Sequence, residues 1–154
     1  MASSPSITID GKTAILTCHV ATLSRRFKPN TRAAIQECLD AGVARIEIDV
    51  HSLDGPDYIV THDRHLERST NGSGSIGAAT PDAVRAAHFL DDVEERPPLL
   101  SEVIEMARGA STQLQFDLKD WRLLRDQRLR TLLGLIAPIR PQIIVSAGED
   151  WNLR

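Results

Sequence analysis

Glu47 and Asp49 stand two residues apart in the run Arg45-Ile46-Glu47-Ile48-Asp49-Val50, whose other members read as a buried β-strand. Successive side chains of a strand point to opposite faces, so both carboxylates share one face while Ile46, Ile48 and Val50 pack on the other. Two like charges held side by side in an interior repel, and taking each ion out of water costs several kcal/mol even after relaxation. A bound divalent cation is the least costly way to neutralise them. His51 shares their strand parity and could add a ligand.

The elements that must position such groups follow from periodicity and punctuation. Residues 13–19 read as a short strand ending on His19. A helix over 31–41 follows, with Asn30 as N-cap, an Ile35, Cys38, Leu39 stripe at helical spacing and Gly42 as the stop. Residues 45–50 make a second strand, Asp54-Gly55-Pro56 a turn, and 58–63 a third strand closing on His62 and Asp63. The Gly/Ser-rich run 71–77 is a loop at the mouth of the fold, without the lysine and spacing of a phosphate-binding P-loop. Thr80, with Pro81 at the first helical position, opens a short helix to about residue 87. A charged connector over 91–98 leads to a helix capped by Ser101 and stopped by Gly109. In the fourth strand, 113–119, Leu114, Phe116 and Leu118 face one way and Gln115, Asp117 and Lys119 the other. An amphipathic helix over 121–137 and a fifth strand over 142–146 complete the pattern. Arg122, Arg125 and Arg128 on that helix read as a solvated face.

Strands alternating with helices predict parallel βαβ units. Parallel strands covered by helices on both sides should be apolar on both faces, yet the second and fourth strands each carry a polar face. A barrel lumen, open where the strands end, accommodates such charges. The fold class expected is therefore α/β, a TIM-type barrel with about five parallel strands. His19, Asp49, His62 and Lys119 all fall at or near strand ends, where active sites of such barrels sit. The chain has 154 residues, enough for one domain over 1–154 but short of the roughly 250 of a closed barrel.

Composition narrows the partners. Lys and Arg number 18 against 21 Asp and Glu, so no basic field advertises nucleic acid or an anionic membrane. Cys18 and Cys38 fall in apolar segments and read as reduced core thiols, too few for a disulfide framework or a thiolate metal site. There is no secretory leader pattern and no stretch near the roughly 18 apolar residues of a membrane span. A cytoplasmic protein with a small polar ligand is expected.

The motif set is more specific than any one piece. Ile46-Glu47-Ile48-Asp49-Val50, then Asp54-Gly55, then Val60-Thr61-His62-Asp63, then the run from Glu67 to Gly74 resembles the glycerophosphodiester phosphodiesterase family. So do Asn30-Thr31, the run from Pro98 to Ile104, and Phe116-Asp117-Leu118-Lys119. The resemblance covers nearly the whole chain and about the first five βα units of an eight-stranded barrel. It implies an incomplete barrel, truncated at its C-terminal end, with unpaired strand edges that a second copy of the chain could complete. It further implies metal-dependent cleavage of a glycerophosphodiester to an alcohol and glycerol 3-phosphate. Glu47, Asp49 and Asp117 match the metal carboxylates, His19 and His62 the acid/base pair, and Lys119 a lysine near the phosphate, while the resemblance leaves His51 unused and so favours a loop histidine there.

Elementary chemistry agrees. Hard cations such as Mg²⁺ and Ca²⁺ take oxygen ligands and leave positions for phosphate oxygens and water. Imidazoles titrate near neutrality, so one can accept a proton from the nucleophile while the other gives one to the leaving alkoxide. Departures from the family pattern accompany the matches. Asp117 stands where the family usually has glutamate, and Val20-Ala21 follow His19 where it has arginine and glycine. Lys28-Pro29 precede Asn30, so a glutamate is lost; Arg25 or Arg26 could supply the missing cation. Two other readings compete: an inactive truncated barrel serving as an oligomerising or binding module, and a phospholipase D-like lyase on lysophospholipid or sphingomyelin. The latter class is typically secreted and disulfide-bearing, which this composition does not match.

Overall fold

A computed structural model describes residues 6–120 and 126–147. Its centre is a sheet in which β3 (Thr17–Cys18), β4 (Arg45–Ser52), β6 (Gln113–Leu118) and β7 (Ile143–Ala147) run parallel in that order. Helices α1 (Arg32–Asp40), α3 (Leu100–Ala107) and α4 (Asp126–Ile136) contribute to one core against the apolar face of the sheet. Ile46, Ile48, Val50, Leu114 and Phe116 are fully buried there with Ile35, Cys38, Val103 and Leu132. The opposite face carries Glu47, Asp49, Gln115 and Asp117, paired across β4 and β6 as Glu47 with Gln115 and Asp49 with Asp117. This arrangement is the wall of an α/β barrel and not a doubly wound sheet. A smaller cluster of Leu53, Ile59, Leu66, Ile76, Val84 and Leu99 fills the space beneath α2 (Pro81–Ala86).

Several expected elements differ in detail. The third strand, β5 (Tyr58–Val60), pairs antiparallel with β4, so the sheet has four parallel strands and one antiparallel strand. The Asp54-Gly55-Pro56 turn folds the chain straight back, and a parallel partner would have needed a crossover. The strand expected over 13–19 is split. Its first half, β2 (Lys12–Ile15), forms a hairpin with β1 (Ser6–Ile9), and only Thr17 and Cys18 join the sheet. The hairpin turns at Asp10-Gly11, with φ of 51° and 74°, the two left-handed residues of the tight turn that favours this dipeptide.

Two helix caps also move. Thr31, not Asn30, caps α1, its hydroxyl accepting from the Ala34 N–H. At α3 the cap position is Leu99, whose N–H donates to Glu102 Oε2, while Ser101 lies inside the first turn. Buried Asp57 serves that end of the helix by accepting from the Ser101 N–H at 3.2 Å and its hydroxyl at 2.6 Å. Thr80 caps α2 with Pro81 at the first helical position, and Gly42 ends α1 with φ of 62°, as the sequence predicts. Of the long helix expected over 121–137, residues 121–125 lie outside the described residues, as do Arg122 and Arg125.

Candidate active site

Strand β4 presents Glu47 and Asp49 on the face away from the helices, and β6 brings Asp117 into register beside Asp49. One carboxylate oxygen from each can be chosen so that all three lie within 4.8 Å of one another. Asp49 is completely buried and Glu47 is 5% exposed, so neither charge is relieved by bulk water.

Each carboxylate is held by particular donors. Glu47 Oε2 receives the His19 Nδ1 at 2.6 Å and the Val20 N–H at 2.9 Å. Asp49 Oδ2 accepts from Asn30 Nδ2 at 2.8 Å, while the Asp49 N–H donates to Asn30 Oδ1 at 3.3 Å. Lys119 Nζ lies between two acids, 2.5 Å from Asp117 Oδ2 and 3.1 Å from Asp49 Oδ1. The second contact is an ion pair without hydrogen-bond alignment, leaving Asp49 Oδ1 buried and incompletely satisfied. Burial of the ammonium works to lower the Lys119 pKa, but the hydrogen bond to Asp117 and the charges of Asp49 and Asp117 outweigh it and raise the value. An open cleft of about 410 Å³ in front of the cluster is lined by Thr17, His19, Glu47, Gln115, Asp117 and Ser146, with Ala147 at its edge.

The two histidines reach this region from opposite directions along one edge of β4. Strand β3 pairs with Arg45 and Ile46, so His19 arrives level with Glu47; β5 pairs with the far end of β4, and the Thr61 N–H donates to the Asp49 carbonyl at 3.0 Å. His62 follows directly. The structure brings the His19 ring onto the cluster, whereas the His62 ring is exposed and makes no side-chain hydrogen bond or ion pair among the described residues. His51, read from sequence as a loop residue, belongs to β4 and is 4% exposed. Its Nε2 is buried without a partner. Burial lowers the His51 pKa and Arg64 lowers it further; Asp120, the His62 carbonyl and Asp49 oppose this without overcoming it.

Neither Arg25 nor Arg26 makes an ion pair or side-chain hydrogen bond with a site carboxylate among the described residues. Both are exposed, and the Arg26 guanidinium lies over the Phe27 ring, 5.2 Å from its centroid. The position after Val20, where the resembling family has glycine, is Ala21 with φ of 56°, a region glycine enters freely and alanine at a cost. Sequence reasoning missed Asn30 as a site residue. The signal was the adjacent Asn30-Thr31 pair: only one can cap the helix, and the other is free to turn elsewhere.

Parallel strands backed by helices, with clustered acids on the opposite face near the strand ends, define the class as an α/β barrel. Within that class, the chain belongs to the glycerophosphoryl diester phosphodiesterase family, whose model matches residues 22–126. It is 25% identical over 138 residues to a glycerophosphodiester phosphodiesterase of Caldanaerobacter subterraneus, covering 85% of this chain and 57% of that protein. It is 30% identical over 97 residues to mouse glycerophosphodiester phosphodiesterase 1, covering 58% of this chain and 29% of that protein. Among solved structures, an Oleispira antarctica phosphodiesterase in complex with the product sn-glycerol-3-phosphate superposes with a TM-score of 0.77 at 22% identity. The match covers 91% of this chain and 60% of that one. The chain thus spans less than two thirds of these relatives. Among the described residues, no helix is long and apolar enough to cross a membrane.

Proposed function

We propose that this chain is the N-terminal part of a barrel, a single unit over 1–154, that cleaves glycerophosphodiesters to an alcohol and glycerol 3-phosphate with a divalent cation, Mg²⁺ or Ca²⁺. The observation that carries this reading is the convergence of Glu47, Asp49 and Asp117 within 4.8 Å, in a chain of this family. The donor set fits a hard cation. It offers oxygen alone, it holds three negative charges against one ammonium, and Asp49 Oδ1 is buried without an aligned donor. Glu47, Asp49 and Asp117 would hold the ion, which when bound supplies charge neutralisation at phosphorus-bound oxygens.

The remaining chemistry belongs to the side chains. Glu47 accepts from the His19 Nδ1–H, which fixes the tautomer and leaves Nε2 as a base; the His19 side chain is 79% exposed and lines the cleft. In cleavage, His19 takes a proton from the attacking oxygen as it bonds to phosphorus; that oxygen is a water's, or the glycerol 2-hydroxyl's with a water then opening the cyclic phosphate to glycerol 3-phosphate. The bond from phosphorus to the departing alcohol oxygen breaks, and His62, protonated, supplies that oxygen with its proton. Lys119, with three donors and one hydrogen bond to Asp117, binds a phosphate oxygen through a proton left free.

The test is release of glycerol 3-phosphate from glycerophosphocholine by the purified chain with Mg²⁺ or Ca²⁺, beside His19→Ala, His62→Ala and Glu47→Gln. Loss of release by roughly 100-fold or more in each variant is expected for acid/base and cation-holding groups. Activity that ignores the substitutions would refute the assigned roles, and a folded, inert wild type would favour a binding module instead.

A further inference from the structure

We infer that Asn30 is a positioning residue that orients Asp49 for cation binding, an inference that rests on the proposed metal site. Its amide makes two contacts with one residue: Nδ2 donates to Asp49 Oδ2 at 2.8 Å and Oδ1 accepts from the Asp49 N–H at 3.3 Å. A carboxylate can only accept and a backbone N–H only donate, so the amide has one workable orientation. The clamp occupies Oδ2 and leaves Oδ1 beside the Lys119 ammonium, which also contacts Asp117, so that Oδ1 is the oxygen left to a cation. Asn30 is 6% exposed, so water does not compete for either contact.

The backbone supports the same conclusion. Asn30 has φ of 60°, in the left-handed region that asparagine tolerates better than most residues. Its N–H donates to the Val20 carbonyl at 2.9 Å, closing the segment 20–30 into a loop whose two ends grip the two carboxylates of β4. At one end the Val20 N–H and the His19 ring hold Glu47; at the other the Asn30 amide holds Asp49. Val20 and Ala21 also have positive φ, 48° and 56°, and a β-branched residue there is a marked departure. Strain of this kind persists where surrounding contacts over-determine it, and it concentrates at functional sites. Here Val20 is held by Glu47, Asn30 by Asp49, and Ala21 by core burial and by Cys38 Sγ donating to its carbonyl.

Asn30→Gly separates orientation from folding, because glycine relaxes the left-handed backbone while deleting the amide. Titration calorimetry with Mn²⁺ and amide hydrogen exchange at Asp49 are measured on wild type, Asn30→Gly and Thr31→Ala. Losing the outer partner of a metal ligand typically costs about 10–100-fold in affinity, and that weakening is expected for Asn30→Gly with faster exchange at Asp49. Thr31→Ala, which removes the helix cap and the hydroxyl's bond to the Lys28 carbonyl but no contact to Asp49, melts earlier but keeps wild-type affinity. Wild-type Mn²⁺ affinity in Asn30→Gly would overturn the positioning role. A wild type that binds no Mn²⁺ would overturn the metal site instead, and the exchange rate at Asp49 in Asn30→Gly would then decide the clamp by itself: unchanged exchange overturns it and faster exchange upholds it.

Discussion

Replacing Lys119 by methionine should destabilise the cation-free chain and make it depend on the ion for stability. The ammonium lies 3.1 Å from Asp49 and 2.5 Å from Asp117. A unit-charge pair at 3.1 Å attracts by about 5 kcal/mol at an effective dielectric constant near 20. Desolvation of the ammonium offsets much of that, but removal leaves three clustered carboxylates with no counter-charge among them. Breaking a buried pair costs about 3–5 kcal/mol, and the 28% exposure of Lys119 places the loss near the lower end, about 3 kcal/mol. For a chain of this size that corresponds to roughly 6–12 °C in Tm. An ion present at about 100 times its Kd returns roughly 2.7 kcal/mol. Scanning calorimetry of wild type and Lys119→Met, in chelator and in excess Mn²⁺, should therefore show a large gap in chelator that narrows with the ion. Equal melting temperatures in chelator, or a smaller ion-induced rise in Lys119→Met than in wild type, would refute this electrostatic reasoning.

Other consequences are equally open to measurement. Asp57→Ala removes the acceptor of the Tyr58 N–H and of both Ser101 donors at the start of α3. It should cost about 2 kcal/mol in urea unfolding, and a loss below about 0.5 kcal/mol would contradict that account. Burial lowers the folded-state pKa of His51, so the unfolded chain takes up a proton that the folded chain resists. Stability should be full above the unfolded value near 6.5 and fall as pH drops from there through the folded pKa. His51→Gln should flatten that slope, although Asp120, Asp49 and Arg64 still surround the position; an unchanged slope would remove His51 as its source. The Cys38 thiol is buried and pushed up to about 12 by that burial and by contact with Cys18. Iodoacetamide at pH 8 should leave Cys38 unmodified in the native chain and label it after denaturation, as read by peptide mass spectrometry.

The barrel wall was legible because its signal is local and periodic. Alternation in β4 and β6 separates Ile46, Ile48, Leu114 and Phe116 from Glu47, Asp49 and Asp117 without reference to anything distant, and the structure keeps that separation. What failed depended on choices between neighbours. Asn30 and Thr31 are both good cap residues, and the choice was made by Asp49, nineteen positions away in sequence and close only in the fold. Ser101 yielded the cap position to Leu99 because Glu102 and Asp57 supply the acceptors. The Asp10-Gly11 turn was overlooked although its dipeptide is a strong hairpin signal; Ile7, Ile9 and Ile15 around it are exposed, so the hairpin stands apart from the core. The burial of His51 could not be read from parity alone, since that depends on what covers the strand end. Sequence likewise paired Lys119 with phosphate, while the structure adds its two carboxylate partners, which follow only from the register of β4 with β6.

The central claim is that Glu47, Asp49 and Asp117 form a cation site that acts on a phosphodiester. Its most direct test is the rate of glycerophosphocholine cleavage as a function of Mn²⁺ concentration, for chelator-treated wild type and Glu47→Gln. No cleavage is expected without the ion, with a saturable rise for wild type and a midpoint shifted at least about 10-fold upward in Glu47→Gln. Cleavage at full rate in chelator, or two superimposable curves, would contradict the claim.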